Sequence, residues 1–302
     1  MTIAYSAWPG WFPLKVAEER GFFEKHGVDV NLKFFTDYTA SIDALNAGQV
    51  DANTQTLNDT IAGASSGADL KIVVNTDFSA GNDAVIADRS IGSIEDLKGT
   101  RVAAEAGVVD HFLLLQGLES KGLGEDDIDF RGLPTDAAAS AFAAGQFDAV
   151  AVFAPFTLEA LKRPGSRVLF SSKDFPGSIP DHIVFGSDVV AERPEDVQGV
   201  VDAWYETVAY LKSNPEEARA IMAEQAGISP EEYATLEAGT DILDAPRALA
   251  AFRDEGKPTS LPTTAAKINP FLVSSGLTEQ EADVSGLFAP QFTQAYVDGA
   301  GG

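Results

Sequence analysis

At 302 residues, with 45% apolar and 9% aromatic content, the chain can bury a full core and is long enough for two domains. Its formal charge of −25, from 46 acids against 21 bases, argues against nucleic acid and an anionic membrane surface, which both need clustered Lys and Arg. The absence of cysteine removes disulfides, thiolate metal sites and a cysteine nucleophile without choosing a compartment.

Thr2–Tyr5 reads as a short strand, followed by a loop from Ser6 to Pro13 punctuated by Pro9, Gly10 and Pro13. A first strand this early leaves no room for a signal peptide, and no apolar run approaches the roughly 20 residues that cross a bilayer. The expectation is a soluble chain, either cytosolic or the mature part of an exported one. A helix starts near Pro13 and closes at Gly21 or Gly27; Val28–Phe35 alternates as a strand. Thr36–Thr39 offers capping side chains to a helix that Gly48 stops, and Val50–Thr54, a helix from Asn58 and strand Lys71–Val74 follow.

The plan then repeats. A short helix at Ile94–Gly99 leads to strand Arg101–Ala104, a helix around Phe112–Leu118, strand Ile128–Leu133, helix Asp136–Ala144 and strand Ala149–Phe153. The phrase Ala47-Gly48-Gln49-Val50-Asp51-Ala52 recurs as Ala144-Gly145-Gln146-Phe147-Asp148-Ala149, 97 positions later. Two α/β lobes of one design are implied, each a mostly parallel sheet flanked by helices, with a natural binding cleft between them. Residues 1–85 plus 187–302 form the first lobe and 86–186 the second. Helices over 197–212, 215–226, 245–252 and 264–275 complete the first lobe, and strand-like crossovers at Ala84–Ala87 and Val184–Ser187 act as a hinge. Trp204 and Tyr205 fall in a helical pattern and read as core. Asp51 and Asp148 sit at helix-to-strand joins, so their repetition reads as fold and not chemistry.

The order of segments Trp8-Pro9-Gly10-Trp11, Ala17-Glu18-Glu19-Arg20-Gly21-Phe22-Phe23-Glu24-Lys25-His26-Gly27-Val28-Asp29-Val30 and Ser93-Ile94-Glu95-Asp96-Leu97-Lys98-Gly99-Thr100-Arg101-Val102-Ala103 resembles binding proteins of nitrate, taurine and aliphatic sulfonate importers. The resemblance spans about residues 1–190. It implies a type II periplasmic binding protein fold, an extracytoplasmic location, and delivery of a small-molecule ligand by a monomer to an ABC permease and its ATPase. The stretches 34–41 and 77–84 look most like a branch found beside urea carboxylase-type enzymes, whose implied cargo is a small nitrogen compound such as urea or guanidine.

Loops at strand carboxyl ends converge in such a sheet. Those loops hold at least six acids and no Lys or Arg. A cation or amide-like donor would welcome Asp37, Asp59, Asp77 or Asp83 as acceptors and Trp8 or Trp11 as a ring face, whereas an anion would be opposed unless backbone N–H groups at helix starts compensate. Tyr38, Thr56, Ser79, Asp110, His111 and Phe153 complete the candidate ligand contacts. Each has a structural alternative: Asp37, Asp59 and Asp136 are placed to cap helices, Asp77 and Asp83 to form a turn with Ser79 and Gly81, either Trp to fill core, and His111 and His182 to be structural. The preferred cargo is a nitrogen cation or amide, with a sulfonate, nitrate or small aromatic acid as the alternative.

No Walker A loop, HExxH pattern, GxSxG elbow or metal cluster marks an enzyme or a cofactor. A thiamine-pyrimidine synthase resembling these binders uses a cysteine-rich segment that is absent here; a sensor domain would share the cleft but carry attached domains.

Overall fold

The computed structural model describes residues 1–300 and contains two sheets. The first is six-stranded, from β1 (Thr2–Tyr5), β2 (Asn31–Phe34), β3 (Ala52–Thr56), β4 (Leu70–Ser79), β10 (Pro180–Gly186) and β11 (Thr240–Ile242), in the order β11-β4-β10-β3-β1-β2. The second is five-stranded, from β5 (Asp83–Ala87), β6 (Arg101–Ala104), β7 (Asp129–Gly132), β8 (Ala149–Phe153) and β9 (Arg167–Ser171), in the order β7-β6-β8-β5-β9. Both are mixed. β1 runs parallel to β2 and β3, and β6 to β7 and β8, while β10 and β5 run antiparallel to their neighbours. Setting β11 aside, the two orders coincide strand for strand, which is the internal repeat made visible.

Helices α1 (Pro13–Glu19), α2 (Phe22–Lys25), α3 (Tyr38–Asn46) and α4 (Leu57–Ser65) flank the first sheet; α5 (Val109–Glu119), α6 (Thr135–Ala143) and α7 (Phe156–Ala160) flank the second. After β10 the chain is almost wholly helical: α8 (Ser187–Glu192), α9 (Pro194–Ser213), α10 (Pro215–Ala226), α11 (Pro230–Leu236), α12 (Ala245–Ala251), α13 (Leu261–Ser274) and α14 (Gln291–Ala300). These helices contact elements of the first sheet's lobe: α9 and α10 meet α1, α13 meets α4, and α14 meets β4. Trp204 is wholly buried among them and Tyr205 nearly so.

The repeated phrase has a clear physical job. Gly48 and Gly145 take positive φ of 66° and 82° just past α3 and α6, which glycine adopts without Cβ strain. The backbone then turns, and Asp51 Oδ2 accepts the Thr2 N–H at 2.6 Å while Asp148 Oδ2 accepts the Arg101 N–H at 2.9 Å. Each aspartate satisfies the first donor of the equivalent strand of its lobe, β1 or β6.

The crossovers differ from expectation. Asp83–Ala87 is an inner strand of the second sheet and Pro180–Gly186 an inner strand of the first, so the chain passes between sheets at residues 80–82 and 172–179, not at Ala84–Ala87 and Val184–Ser187. The reason is burial: Ala84, Val85, Ile86 and Ala87, and Ile183, Val184 and Phe185, are at most 1% exposed. Such apolar runs need cover on both faces, which an inner strand has and a linker lacks. The two true crossings are stitched together by Ser79 Oγ and Ser172 Oγ at 2.7 Å, with the Gly81 N–H donating to Ser172 Oγ at 2.8 Å.

Replacing Asp51 or Asp148 with Ala is expected to cost about 1 kcal/mol of unfolding free energy, read as a lower urea midpoint with unchanged solute affinity.

Candidate functional site

β1, β3, β4 and β8 point their carboxyl ends toward the space between the lobes. There the Ser6–Phe12 loop folds back on itself, with the Trp11 and Phe12 N–H groups donating to the Trp8 carbonyl. This presents two indoles, and Tyr38 from the start of α3 and Phe153 from the end of β8 supply two more rings. Trp11 lies 5.5 Å from Tyr38, Trp8 lies 6.3 Å from Trp11 and 6.5 Å from Phe153, and Tyr38 lies 5.9 Å from Phe153, centroid to centroid. Trp8, Trp11 and Tyr38 come from the first lobe and Phe153 from the second.

Thr56, Asp83, Val109 and Asp181 complete the wall of the cavity. Its volume is about 10 Å³, room for about one water molecule, so the lobes are nearly closed. Larger hollows lie elsewhere, among them one of about 340 Å³ between α5 and α13, but it is away from the strand ends and from the buried acids.

The acids set the electrostatics. Asp59, Asp77, Asp83, Asp110 and Asp181 are each no more than 2% exposed, and none of the residues lining the cavity is Lys or Arg. Burial without a counter-cation disfavours the ionised form, so Asp59, Asp77 and Asp83 are each pushed up to about 7, and Asp110 and Asp181 well above the usual carboxylate range.

Hydrogen bonds offset part of this. Asp59 Oδ2 accepts from Tyr38 OH and Thr56 Oγ1, both at 2.7 Å, and Asp59 Oδ1 from Asn58 Nδ2 at 2.7 Å; the Val109 N–H reaches the same carboxyl from the second lobe. Asp77 accepts from Trp8 Nε1 at 3.1 Å and from Thr76 Oγ1 at 2.9 Å. It approaches this closely because position 10 is glycine: a Cβ there would stand 2.0 Å from Asp77 Oδ2. Asp181 sits beside Asp77 across the β10–β4 pair, which raises its own proton affinity further. Three wall atoms have no partner: the Trp11 Nε1 donor and the Asp83 Oδ2 and Asp181 Oδ2 acceptors. A solute entering this space meets aromatic faces, two open carboxyl oxygens and one indole N–H.

Of the residues expected at the site, Trp8, Trp11, Tyr38, Thr56, Asp83 and Phe153 form the wall, with Asp59 and Asp77 directly behind it. The others are elsewhere. Asp37 caps α3, its Oδ1 accepting the Ala40 N–H at 2.9 Å. Asp136 does not cap α6; it lies in that helix's first turn, exposed. Ser79 serves the crossover, and its Oγ also takes the Asp83 N–H. Asp110 bonds Thr135. His111 turns away from the cavity but stays buried, stacked 4.3 Å from Phe130 with Nε2 2.6 Å from Glu125, because the helical turn that puts Val109 in the wall sends position 111 to another face. His182 is structural in position, wholly buried in β10 and held neutral by desolvation.

The sequence reading missed Asp181, Val109 and Glu105. Asp181 follows Pro180 in a strand assigned to the wrong lobe, and its pairing with Asp77 has no local signature. Glu105 follows strand β6 without a local signal, and only the tertiary contacts of its carboxylate single it out.

The family model described as NMT1/THI5 like matches residues 8–218. The chain belongs to that family. A putative binding protein of Brucella abortus (strain 2308) is 30% identical over 69% of this chain, and the match spans 65% of that relative's length. A putative aliphatic sulfonates-binding protein of Escherichia coli (strain K12) is 30% identical over 80% of this chain and 70% of its own. In solved structures, the alkanesulfonate-binding protein SsuA from Xanthomonas axonopodis pv. citri, bound to MOPS, superposes with a TM-score of 0.80 at 20% identity, covering 96% of this chain and 97% of that one. The expected two-lobed type II periplasmic binding protein fold is therefore present. The desulfurization enzyme DszB shares it as well, at a TM-score of 0.70 and 17% identity, over 99% of both chains.

The buried acids make stability depend on pH in a definite direction. Their folded pKa values lie above the ordinary unfolded value of about 4, so the folded chain binds more protons between about pH 4 and 7, and stability is lost as pH rises through 7. His182 and His111, both lowered by burial, oppose this below pH 6.5, where the unfolded chain takes their protons, but they are two groups against five. The melting temperature of solute-free protein is expected to rise as pH is lowered from 8 to 5; Asp83→Asn should raise it at pH 8 and flatten the profile.

Proposed function

We propose that the chain is the extracytoplasmic solute-binding component of an ABC importer, and that its cleft captures a small, donor-rich nitrogen compound of guanidinium, amine or amide type. One observation carries the cargo reading: the cleft gathers four buried aspartates, Asp83 and Asp181 in its wall and Asp59 and Asp77 behind it, and no basic side chain lines it. A cation there restores ionisation that burial has suppressed, and the rings of Trp8, Trp11, Tyr38 and Phe153 suit a delocalised cation or planar amide. Closure over the solute is the state a permease would engage, stabilised by contacts that exist only when the lobes meet.

The second reading is an oxyanion, and the names of the sulfonate- and taurine-binding relatives favour it. Backbone N–H groups at helix starts are the donors such a ligand would need. Here the first turns of α3 and α6 already hold the Glu105 carboxylate, and the Val109 N–H at the start of α5 faces Asp59. The fold also occurs in an enzyme, yet this chain has no cysteine and no metal-holding cluster of acids and histidines among the described residues.

The two cargo readings predict opposite pH dependence. Titration calorimetry with guanidinium, urea, taurine and an alkanesulfonate at pH 6 and pH 8 tests them. A cation binds more tightly at pH 8, where Asp59, Asp77 and Asp83 ionise more readily, and Asp83→Asn weakens it by roughly 10- to 100-fold. Tighter binding of taurine or sulfonate at pH 6, with Asp83→Asn neutral or beneficial, would overturn the nitrogen reading in favour of the oxyanion.

A further inference from the structure

The lobes are joined by one side chain that touches no part of the cavity wall. Glu105 follows β6 in the second lobe and is 5% exposed. Its Oε1 accepts the Thr39 N–H at 3.1 Å and the Thr39 hydroxyl at 2.5 Å, at the start of α3 in the first lobe. Its Oε2 accepts the Thr135 N–H at 3.2 Å and the Thr135 hydroxyl at 2.7 Å, at the start of α6 in its own lobe. A single carboxylate therefore serves the amino ends of two helices that the internal repeat makes equivalent, and both helix dipoles favour it.

The partners are also correctly protonated for this. Thr135 Oγ1 lies 2.7 Å from Glu105 Oε2 and 2.6 Å from Asp110 Oδ2, yet a hydroxyl has one proton. The arrangement is satisfied when Asp110 is a neutral acid donating to the Thr135 oxygen, and Thr135 donates onward to a charged Glu105. Desolvation keeps Asp110 in that neutral form. Every contact that crosses the cleft here is thus a charge-assisted bond from the Thr39 side to one oxygen, shielded from water and requiring no solute.

We propose that Glu105 is a positioning residue that latches the lobes through Thr39, so that the closed cleft is populated before any solute arrives. The bond pair to Thr135 is internal to the second lobe and serves its structure; the bond pair to Thr39 is the latch. This division holds whichever cargo the cleft takes.

The chain has no cysteine, so Lys33→Cys on β2 and Arg131→Cys on β7, both exposed and one in each lobe, give a single pair of thiols for spin labels. Electron–electron distance measurements on solute-free protein are expected to show a dominant short separation. Glu105→Ala and Thr39→Val should each raise the ratio of long to short separations by roughly tenfold or more, the scale of losing a charge-assisted hydrogen bond. Asp136→Ala, in the first turn of α6 and exposed, serves as the control and should leave the distribution unchanged. Thr39→Val keeps the Thr135 contacts and so separates latching from a structural cap; it decides the matter if Glu105→Ala fails to fold. A distance distribution identical in wild type and Thr39→Val, with unchanged melting temperature, would overturn the proposal.

Discussion

Four buried aspartates line or back a space between two lobes from which water is nearly excluded, and no Lys or Arg lines it with them. That imbalance governs most of the local structure. It explains why Tyr38, Thr56, Asn58, Thr76 and Trp8 all turn hydrogen-bond donors inward, and why position 10 has no side chain. Isolated buried carboxylates are expensive, and a protein that retains them without pairing them leaves a site in which protonation and solute binding compete for the same oxygens. The aromatic cage adds the complementary half: faces that attract positive charge and edges that exclude water.

The helices around the cleft show how the chain handles its own negative charge. Where an anion receptor would leave helix starts open, this protein fills those of α3 and α6 with Glu105 and turns the Val109 N–H toward Asp59. Family membership and chemistry thus pull in different directions on cargo. The relatives share the scaffold and carry names that speak of sulfonates, while the lining of this particular cleft presents carboxyl oxygens and no basic side chain. Scaffold and lining are separable because the fold fixes only where the loops meet, and the residues at their tips decide what is held.

Much of the architecture was legible because it is periodic or punctuated. The repeated glycine and aspartate of Gly48–Asp51 and Gly145–Asp148 mark equivalent turns, and their duplication gave two lobes before any contact was known. Trp8, Trp11, Tyr38, Thr56, Asp83 and Phe153 were readable as wall residues because strand carboxyl ends converge in a parallel sheet. What failed did so for one physical reason. Ala84–Ala87 and Val184–Ser187 read as strand-like crossovers, because an extended apolar run does not say which sheet supplies its neighbours. Assigning Pro180–Gly186 to the wrong lobe hid Asp181. His111 was lost to helical phase, since a side chain two positions from a wall residue faces away. Glu105 lacked any local sign, because its importance lies in two threonines 66 positions before it and 30 after it.

The exchange of inner strands also constrains the order in which the molecule can be built. All five strands of the second sheet lie between Asp83 and Ser171, in one unbroken stretch. The first sheet has β3 and β4 early in the chain but separates them by β10, which is synthesised only after the second lobe is complete. Until residue 186 emerges from the ribosome, the amino-terminal half carries an open slot between two strands whose edges have nothing to pair with. The lobe that is made first is therefore finished last, and the strand that fills its slot is the one that brings Asp181 to the cleft.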